Sequence, residues 1–255
     1  MLLTIDIGNT NVTLGLYDGQ ELRGHWRIST VNGKTTDEYA VLVLGLMERA
    51  GYNVPGSVTG AIIASVVPSL TSSFTELAEE YLRCPTLVVS AGIRTGVRLR
   101  VDNPREVGAD RVVNTAAAHR LYGGPALVVD FGTATTFDAV SAEGDYLGGA
   151  IAPGLAIAAD ALGQRAAQLF RVELTAPPDV IGKNTVQALQ SGLFLGYVGL
   201  IEGLVARFRE RLGPEMKVIA TGGLGEAIAQ YTTVLTVIDP WLTLAGLRLI
   251  WELNQ

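Results

Sequence analysis

A single cysteine, Cys84, occurs in 255 residues, which excludes an intramolecular disulfide framework and a cysteine-rich metal site. Histidine is almost as scarce: His25 and His119 are the two, and neither stands at metal-ligand spacing. Charged residues make up 17% of the chain, there is no long basic run, and the formal net charge is -6. That balance argues against a partner held by phosphate neutralisation, so no nucleic acid is expected. No G-x-x-x-x-G-K-[ST] run occurs, which excludes a P-loop NTPase, and there is no G-x-S-x-G elbow. The protein-kinase set is also missing, because Asp130-Phe131-Gly132 falls in a β hairpin with no catalytic loop before it. The start, MLLTIDIG, lacks a basic region and a small-residue cleavage site. The most apolar stretch, Gly192 to Ile201, stops at Glu202 and is too short to span a bilayer. A cytoplasmic protein with no membrane partner is therefore expected.

Hydrophobic residues make up 48%, and glycine is in surplus at 30 residues, a composition that fits a folded chain of one large or two smaller domains. Leu2 to Ile7, Val12 to Tyr17 and Glu21 to Ser29 read as a three-stranded meander. Thr36-Asp37-Glu38 caps a helix ending at Gly51, and strand, helix and strand patterns follow at Ser57 to Val66, Ser69 to Arg83 and Thr86 to Val89. The order is βββαβαβ. After a helix expected over Asp110 to Tyr122, the meander recurs at Leu127 to Phe131, Thr135 to Val140 and Tyr146 to Ile151. Helical periodicity then runs through Leu155 to Leu169 and Val186 to Leu212, and the chain ends with strands Lys217 to Ala220 and Val234 to Ile238, the helix Leu224 to Gln230 between them, and a last helix from Trp241. Glycines at 192, 196, 199 and 203 form a small-residue stripe in the long helix. Core packing is the leading reading of that stripe, with a subunit contact as the alternative.

The repeat is visible residue by residue. Thr4-Ile5-Asp6-Ile7-Gly8-Asn9-Thr10 aligns with Val128-Val129-Asp130-Phe131-Gly132-Thr133-Ala134. Each copy has an Asp near the end of an apolar strand and a glycine two residues later, so the duplication suggests two lobes facing one another across a ligand cleft. Gly8 frees the backbone, while Asn9, Thr10, Asn11 and Thr13 add amide and hydroxyl groups beside exposed N-H donors, as a phosphate cradle needs. Asp6 would hold Mg²⁺ directly or through water. The second loop, Asp130 to Thr136, repeats the carboxylate, glycine and hydroxyls, as two hairpins clamping one polyphosphate require. Gly108-Ala109-Asp110-Arg111 enters a helix and can serve as an N-cap. The same pair supplies a base beside an anion clamp, able to deprotonate an alcohol whose far end is a carboxylate. Thr221-Gly222-Gly223-Leu224-Gly225, between strand and helix, would admit a flat nucleoside close to backbone.

These segments, together with Asp102-Asn103-Pro104-Arg105-Glu106-Val107, Gly148-Gly149-Ala150-Ile151-Ala152-Pro153-Gly154, Lys183-Asn184-Thr185 and Gln190-Ser191-Gly192, closely resemble the type III pantothenate kinases of bacteria. The match runs from residue 1 to about 250 in the same order. The resemblance implies an α/β fold of two duplicated ribonuclease-H-like, actin-like ATPase lobes with mixed five-stranded sheets and flanking helices. It divides the chain into residues 1-115 and 116-255, the second lobe carrying a homodimer interface. It implies ATP-dependent phosphorylation of pantothenate to 4'-phosphopantothenate, the first step of coenzyme A biosynthesis. Asp6, Ile7, Gly8, Asn9, Thr10, Asn11, Val12 and Thr13, joined by Thr133 and by Gly222 and Gly223, would bind ATP with its Mg²⁺. Asp110 would accept the pantothenate hydroxyl proton, and Gly108, Ala109, Asp110 and Arg111 would hold the substrate, with Arg111 meeting its carboxylate. Asp130 would coordinate a monovalent cation, K⁺ or NH₄⁺, and Thr185 would contact pantothenate across the dimer. Where the family often has a tyrosine before Asp-Asn-Pro, this chain has Val101. Two other functions are compatible with the motifs: a non-catalytic regulatory relative of the Bvg accessory factor type, and a related small-molecule kinase.

Overall fold

The computed structural model describes residues 1–165 and 172–255, and by contact the chain forms two compact units: Met1–Leu121 with Trp241–Gln255, and Tyr122–Pro240. The first contains β1 (Leu2–Ile7), β2 (Asn11–Asp18), β3 (Glu21–Ser29), α1 (Thr36–Arg49), β4 (Gly60–Ser65), α2 (Pro68–Glu76) and β5 (Thr86–Val88). Its sheet has the order β3-β2-β1-β4-β5. β1 runs antiparallel to β2 and parallel to β4, with Ile7 opposite both Val12 and Ser65. α3 (Ala109–Tyr122) follows.

The central strand is apolar at nearly every position because both faces of the sheet are covered. Alternation along β1 sends Leu3, Ile5 and Ile7 into a core with Tyr39, Val43 and Met47 of α1 and Phe74 of α2. Leu2 faces the other way, with Ile62 and Ala64 of β4 and Val113 of α3. Asp6 therefore leaves β1 on the side covered by α3. α1 starts one residue earlier than its acidic first turn suggests: Thr35 is the cap, its hydroxyl accepting from Glu38 N at 3.3 Å while the Glu38 carboxylate accepts from Thr35 N at 2.8 Å.

The second unit repeats the plan with β6 (Ala126–Phe131), β7 (Ala134–Val140), β8 (Tyr146–Pro153), α4 (Leu155–Arg165), α5 (Thr185–Gln190), α6 (Gly196–Leu212), β9 (Lys217–Gly222), α7 (Gly225–Ala229) and β10 (Val237–Ile238). The sheet order β10-β9-β6-β7-β8, with β6 antiparallel to β7 and parallel to β9, is the first order read from the other edge. Both units thus have the ribonuclease-H-like topology and mixed five-stranded sheets that the sequence resemblance implies. Residues 166–169 of the expected helix from Leu155 lie outside the described residues. Of the strand expected over Val234 to Ile238, only Val237–Ile238 pairs with β9.

α5, a π-helical turn (Ser191–Leu195) and α6 form one helix, Thr185–Leu212, of 28 residues. Its mean hydropathy reaches 1.4, so it is long and apolar enough to cross a membrane by length and composition, unlike the shorter stretch read from the sequence. Its buried residues Phe194, Tyr197, Val198, Ile201 and Val205 pack with Leu127, Val129 and Phe131 of β6 in the core of the unit. The glycine stripe is corrected by the structure: a Cβ at Gly192, Gly196 or Gly199 would meet nothing within 4 Å. These glycines lie on the bare side of the helix, away from the residues that pack.

α8 (Leu242–Leu253) ends the chain. Leu244, Leu247 and Ile250 pack with Leu2, Ile62 and Val113, which is why this helix belongs with the first unit although the sequence division at 115 places it with the second half.

Candidate active site

In the first unit the candidate residues gather at the carboxyl ends of the parallel strands β1 and β4, the usual place for ligands on an open α/β sheet. Asp6 is the penultimate residue of β1, and the hairpin Gly8 to Asn11 follows. Gly8 N-H donates to the Asn11 carbonyl at 3.0 Å, which closes the turn and leaves Asn9 and Thr10 exposed at its tip. Ile7 and Val12 anchor the hairpin in the core, so the backbone grip expected of them rests on buried side chains. Thr13 pairs with Asp6 across the ladder.

Thr30, just beyond β3, belongs to no motif in the sequence. Its hydroxyl donates to the Gly8 carbonyl at 2.7 Å and its N-H to the Thr10 carbonyl at 2.9 Å. The signal was the position alone, one residue past a strand paired with β2.

The Gly108 to Arg111 segment joins the same region. Val66 N-H donates to the Ile7 carbonyl at 3.0 Å, and the Val66 side chain packs toward Gly108. Asp110 lies in the first turn of α3, and its carboxylate accepts the Arg111 N-H at 2.8 Å. Burial pushes the Asp110 carboxyl above the ordinary aspartate range, and the Arg111 N-H and guanidinium oppose but do not cancel that effect. Some of its surface still meets solvent, so the group can exchange a proton. A partly desolvated carboxylate with a raised pKa next to a guanidinium is the arrangement a general base for an acidic substrate requires.

In the second unit Asp130, Gly132, Thr133, Gly154 and Gly222 come together. Gly154 N-H donates to the Thr133 carbonyl at 3.2 Å, and a Cβ on Gly154 would stand 2.3 Å from that oxygen. Gly222, at the end of β9, has φ +84 and faces the same loop: its Cβ would lie 2.6 Å from Asp130 Oδ1. A side chain at Gly222 would crowd the Asp130 carboxylate and one at Gly154 would run into the Thr133 and Gly132 carbonyls, and glycine avoids both contacts. Gly223 follows on the exposed turn into α7.

Beneath this loop lies Tyr197 of α6, which no motif in the sequence marks. Its hydroxyl shares a 2.5 Å hydrogen bond with Thr135, and its ring meets Phe131 edge-on with centroids 6.2 Å apart. Burial pushes the Tyr197 phenol up, the Thr135 hydrogen bond works against that, and the Asp130 carboxylate adds to it.

Among the described residues no group of three or more His, Cys, Asp or Glu side chains could hold a metal ion. A cation at Asp6 or Asp130 would therefore complete its shell with phosphate, hydroxyl or water oxygens, which suits Mg²⁺ and K⁺ rather than a protein-caged transition metal.

Thr185 stands exposed in the first turn of α5, where Asn184 caps by accepting from Gln187 N at 2.9 Å. No hydrogen bond between described residues joins it to the Asp130 loop. A shallow hollow of about 370 Å³ on α1, lined by Lys34, Asp37, Glu38, Val41 and Leu42, shares no residue with either loop.

Comparison with known proteins bears on the family and the fold. The family model for type III pantothenate kinases matches residues 2–207. The chain is 52% identical to the type III pantothenate kinase of Roseiflexus sp. (strain RS-1), covering 100% of both sequences. A Baf family transcriptional activator from Campylobacter jejuni has a similar structure, with a TM-score of 0.64 at 21% identity over 99% of this chain and 98% of that one. An inorganic polyphosphate/ATP-glucomannokinase from Arthrobacter sp. strain KM matches with a TM-score of 0.53 at 16% identity over 100% and 99%. The two structural likenesses speak for the fold, the actin-like ATPase fold of duplicated ribonuclease-H-like units. Sequence identity over the whole length speaks for more than fold: the chain belongs to the type III pantothenate kinase family.

Proposed function

We propose that this chain performs the reaction of its family, transfer of the γ-phosphoryl group of ATP to the hydroxyl of pantothenate, giving 4'-phosphopantothenate and ADP in coenzyme A biosynthesis. The observation that carries this reading is the Asp110–Arg111 pair at the carboxyl ends of β1 and β4, beside the Gly8 to Asn11 hairpin. Phosphoryl transfer asks for positioning and charge neutralisation more than for covalent chemistry, and each candidate residue supplies one of these.

In this reading Asp110 accepts the hydroxyl proton as the substrate oxygen bonds to the γ-phosphorus and the bond to the ADP oxygen breaks. Arg111 meets the pantothenate carboxylate, with Gly108 and Ala109 giving backbone contacts. Asp6 to Thr13 and Thr133 hold the phosphates, and Gly222 and Gly223 admit the nucleoside. Mg²⁺, held by Asp6 directly or through water, neutralises phosphate charge when bound. Asp130 would coordinate K⁺ or NH₄⁺.

We assign the active form to a homodimer. Large apolar side chains stand exposed on the second unit at Leu147, Ile151, Ile157, Val180, Ile181 and Val186, with Ile181 73% exposed, and Gly192, Gly196 and Gly199 of the long helix face open space. Exposed apolar surface of this kind favours association. Thr185, next to Val186, would then contact pantothenate held by the other protomer. A cytoplasmic location fits the reaction.

The test is direct: purified protein with ATP, Mg²⁺ and K⁺ should form ADP and 4'-phosphopantothenate in equal amounts only when pantothenate is present. Nucleotide binding with no turnover of pantothenate would refute the assignment. Product formed from a sugar in place of pantothenate would point to the related-kinase reading. Among the described residues none favours the regulatory alternative.

A further inference from the structure

The two duplicated hairpins are braced differently. Ser29 of β3 pairs with Asn11, and Pro153 of β8 pairs with Ala134, so Thr30 and Gly154 are the equivalent next residues in the two units. Both donate a backbone N-H to the hairpin, Thr30 to the Thr10 carbonyl at 2.9 Å and Gly154 to the Thr133 carbonyl at 3.2 Å. The hairpins differ by one residue: four residues separate Ile7 from Val12, and three separate Phe131 from Thr135. The shorter turn closes directly over Gly154, where a side chain would clash. The longer one leaves room for a side chain, and the Thr30 hydroxyl occupies it, donating to the Gly8 carbonyl at 2.7 Å.

We propose that Thr30 is a positioning residue for the triphosphate, acting through the Gly8–Asn9 peptide. In a trans peptide the carbonyl oxygen and the following N-H lie on opposite sides of the bond. Fixing the Gly8 oxygen on Thr30 therefore turns the Asn9 N-H the other way, toward the exposed tip of the hairpin, where an anion can accept it. The Thr30 N-H at Thr10 fixes the far side of the same tip, so one residue sets both ends of the turn. Without the hydroxyl the Gly8–Asn9 peptide can rotate, because Gly8 itself imposes no side-chain restraint. A donor must be fixed before the charge arrives if it is to contribute fully. This inference rests on the reading of the hairpin as the ATP phosphate site.

The test uses the full chain with Thr30→Val, which keeps the shape and removes the hydroxyl, and Thr30→Ser, which restores it. Loss of one such restraint should weaken the nonhydrolysable analogue AMPPNP and raise KM for ATP by about three- to tenfold. KM for pantothenate should stay within about twofold of the parent, and Thr30→Ser should recover the parental values. Unchanged AMPPNP affinity in Thr30→Val would overturn the inference. So would equal rises in both KM values with a matching drop in melting temperature, since that pattern marks a loss of fold. If the parent bound AMPPNP but did not phosphorylate pantothenate, the functional reading would fail, and the two variants would still decide the role of Thr30 by binding alone.

Discussion

Tyr197 on α6 and Thr135 on β7 share a 2.5 Å hydrogen bond in the core of the second unit, directly under the loop that carries Asp130. Thr135 is fully buried and Tyr197 6% exposed. An unpartnered hydroxyl at that depth would be costly, so the pair fixes the height of the loop above the helix.

Replacing Tyr197 by Phe should retain the ring packing on Phe131 and leave the Thr135 hydroxyl without this partner. A loss of about 1 kcal/mol is expected, seen as a melting temperature lower by roughly 2–4 °C. If Asp130 holds the monovalent cation, half-maximal activation should also need more K⁺. A K⁺ titration of Tyr197→Phe that overlays the parent would separate the bond from the cation site.

Gly222→Ala should be far more damaging than its one methyl suggests. The residue has φ +84, and the new Cβ would stand 2.6 Å from Asp130 Oδ1 and 2.8 Å from the backbone of Phe131. Backbone strain of about 1–3 kcal/mol is expected from the left-handed conformation alone, together with a rise in KM for ATP or a loss of K⁺ activation. Gly196→Ala is the contrast. With open space around it and a helical backbone, that change should raise the intrinsic stability of the helix by about 0.5–1 kcal/mol. Chemical denaturation of both variants compares the two directions.

Asp110→Asn should abolish turnover while raising stability at neutral pH. Burial raises the folded pKa of Asp110 above its ordinary value, so the ionised form is disfavoured in the folded state. Its contribution to stability is present at low pH and declines as pH rises from the unfolded value through the folded one. The melting advantage of Asp110→Asn over the parent should therefore be largest at neutral pH and vanish below the ordinary carboxyl range. In the parent, the acid limb of the kcat/KM profile should lie above the ordinary aspartate pKa, because the base must be ionised. Thermal melts and a pH series of rates measure the two effects on the same samples.

A charge on the exposed apolar surface tests the homodimer. Ile181→Glu changes a side chain 73% exposed in the single chain, so a monomer should tolerate it with a stability change within about 0.5 kcal/mol. In a dimer that buries this surface, the carboxylate should drive dissociation. Light scattering of the eluted protein gives the mass, and turnover measured alongside shows whether Thr185 of a second copy is needed.

Much of this protein is determined by local sequence. The apolar strand ending Asp-Ile-Gly-Asn-Thr and its repeat at Asp130-Phe131-Gly132-Thr133 encode both hairpins, because strand alternation and turn chemistry are short-range properties. Asp110 was legible for the same reason: a carboxylate at a helix start is written in four consecutive residues. Tertiary structure decided what depends on residues far apart in the chain. α8 returns to β1 and β4 because its apolar face fits that sheet, which no local pattern records. The glycines of the long helix lie on its bare side, although their spacing alone suits a buried face equally well. Thr30, Gly154 and Tyr197 support the loops from strands and a helix that close on them only after folding. The sequence specified the candidate groups and their hairpins, and long-range packing specified what holds them in place, since a hydrogen bond between distant residues forms only once the sheet has set its register.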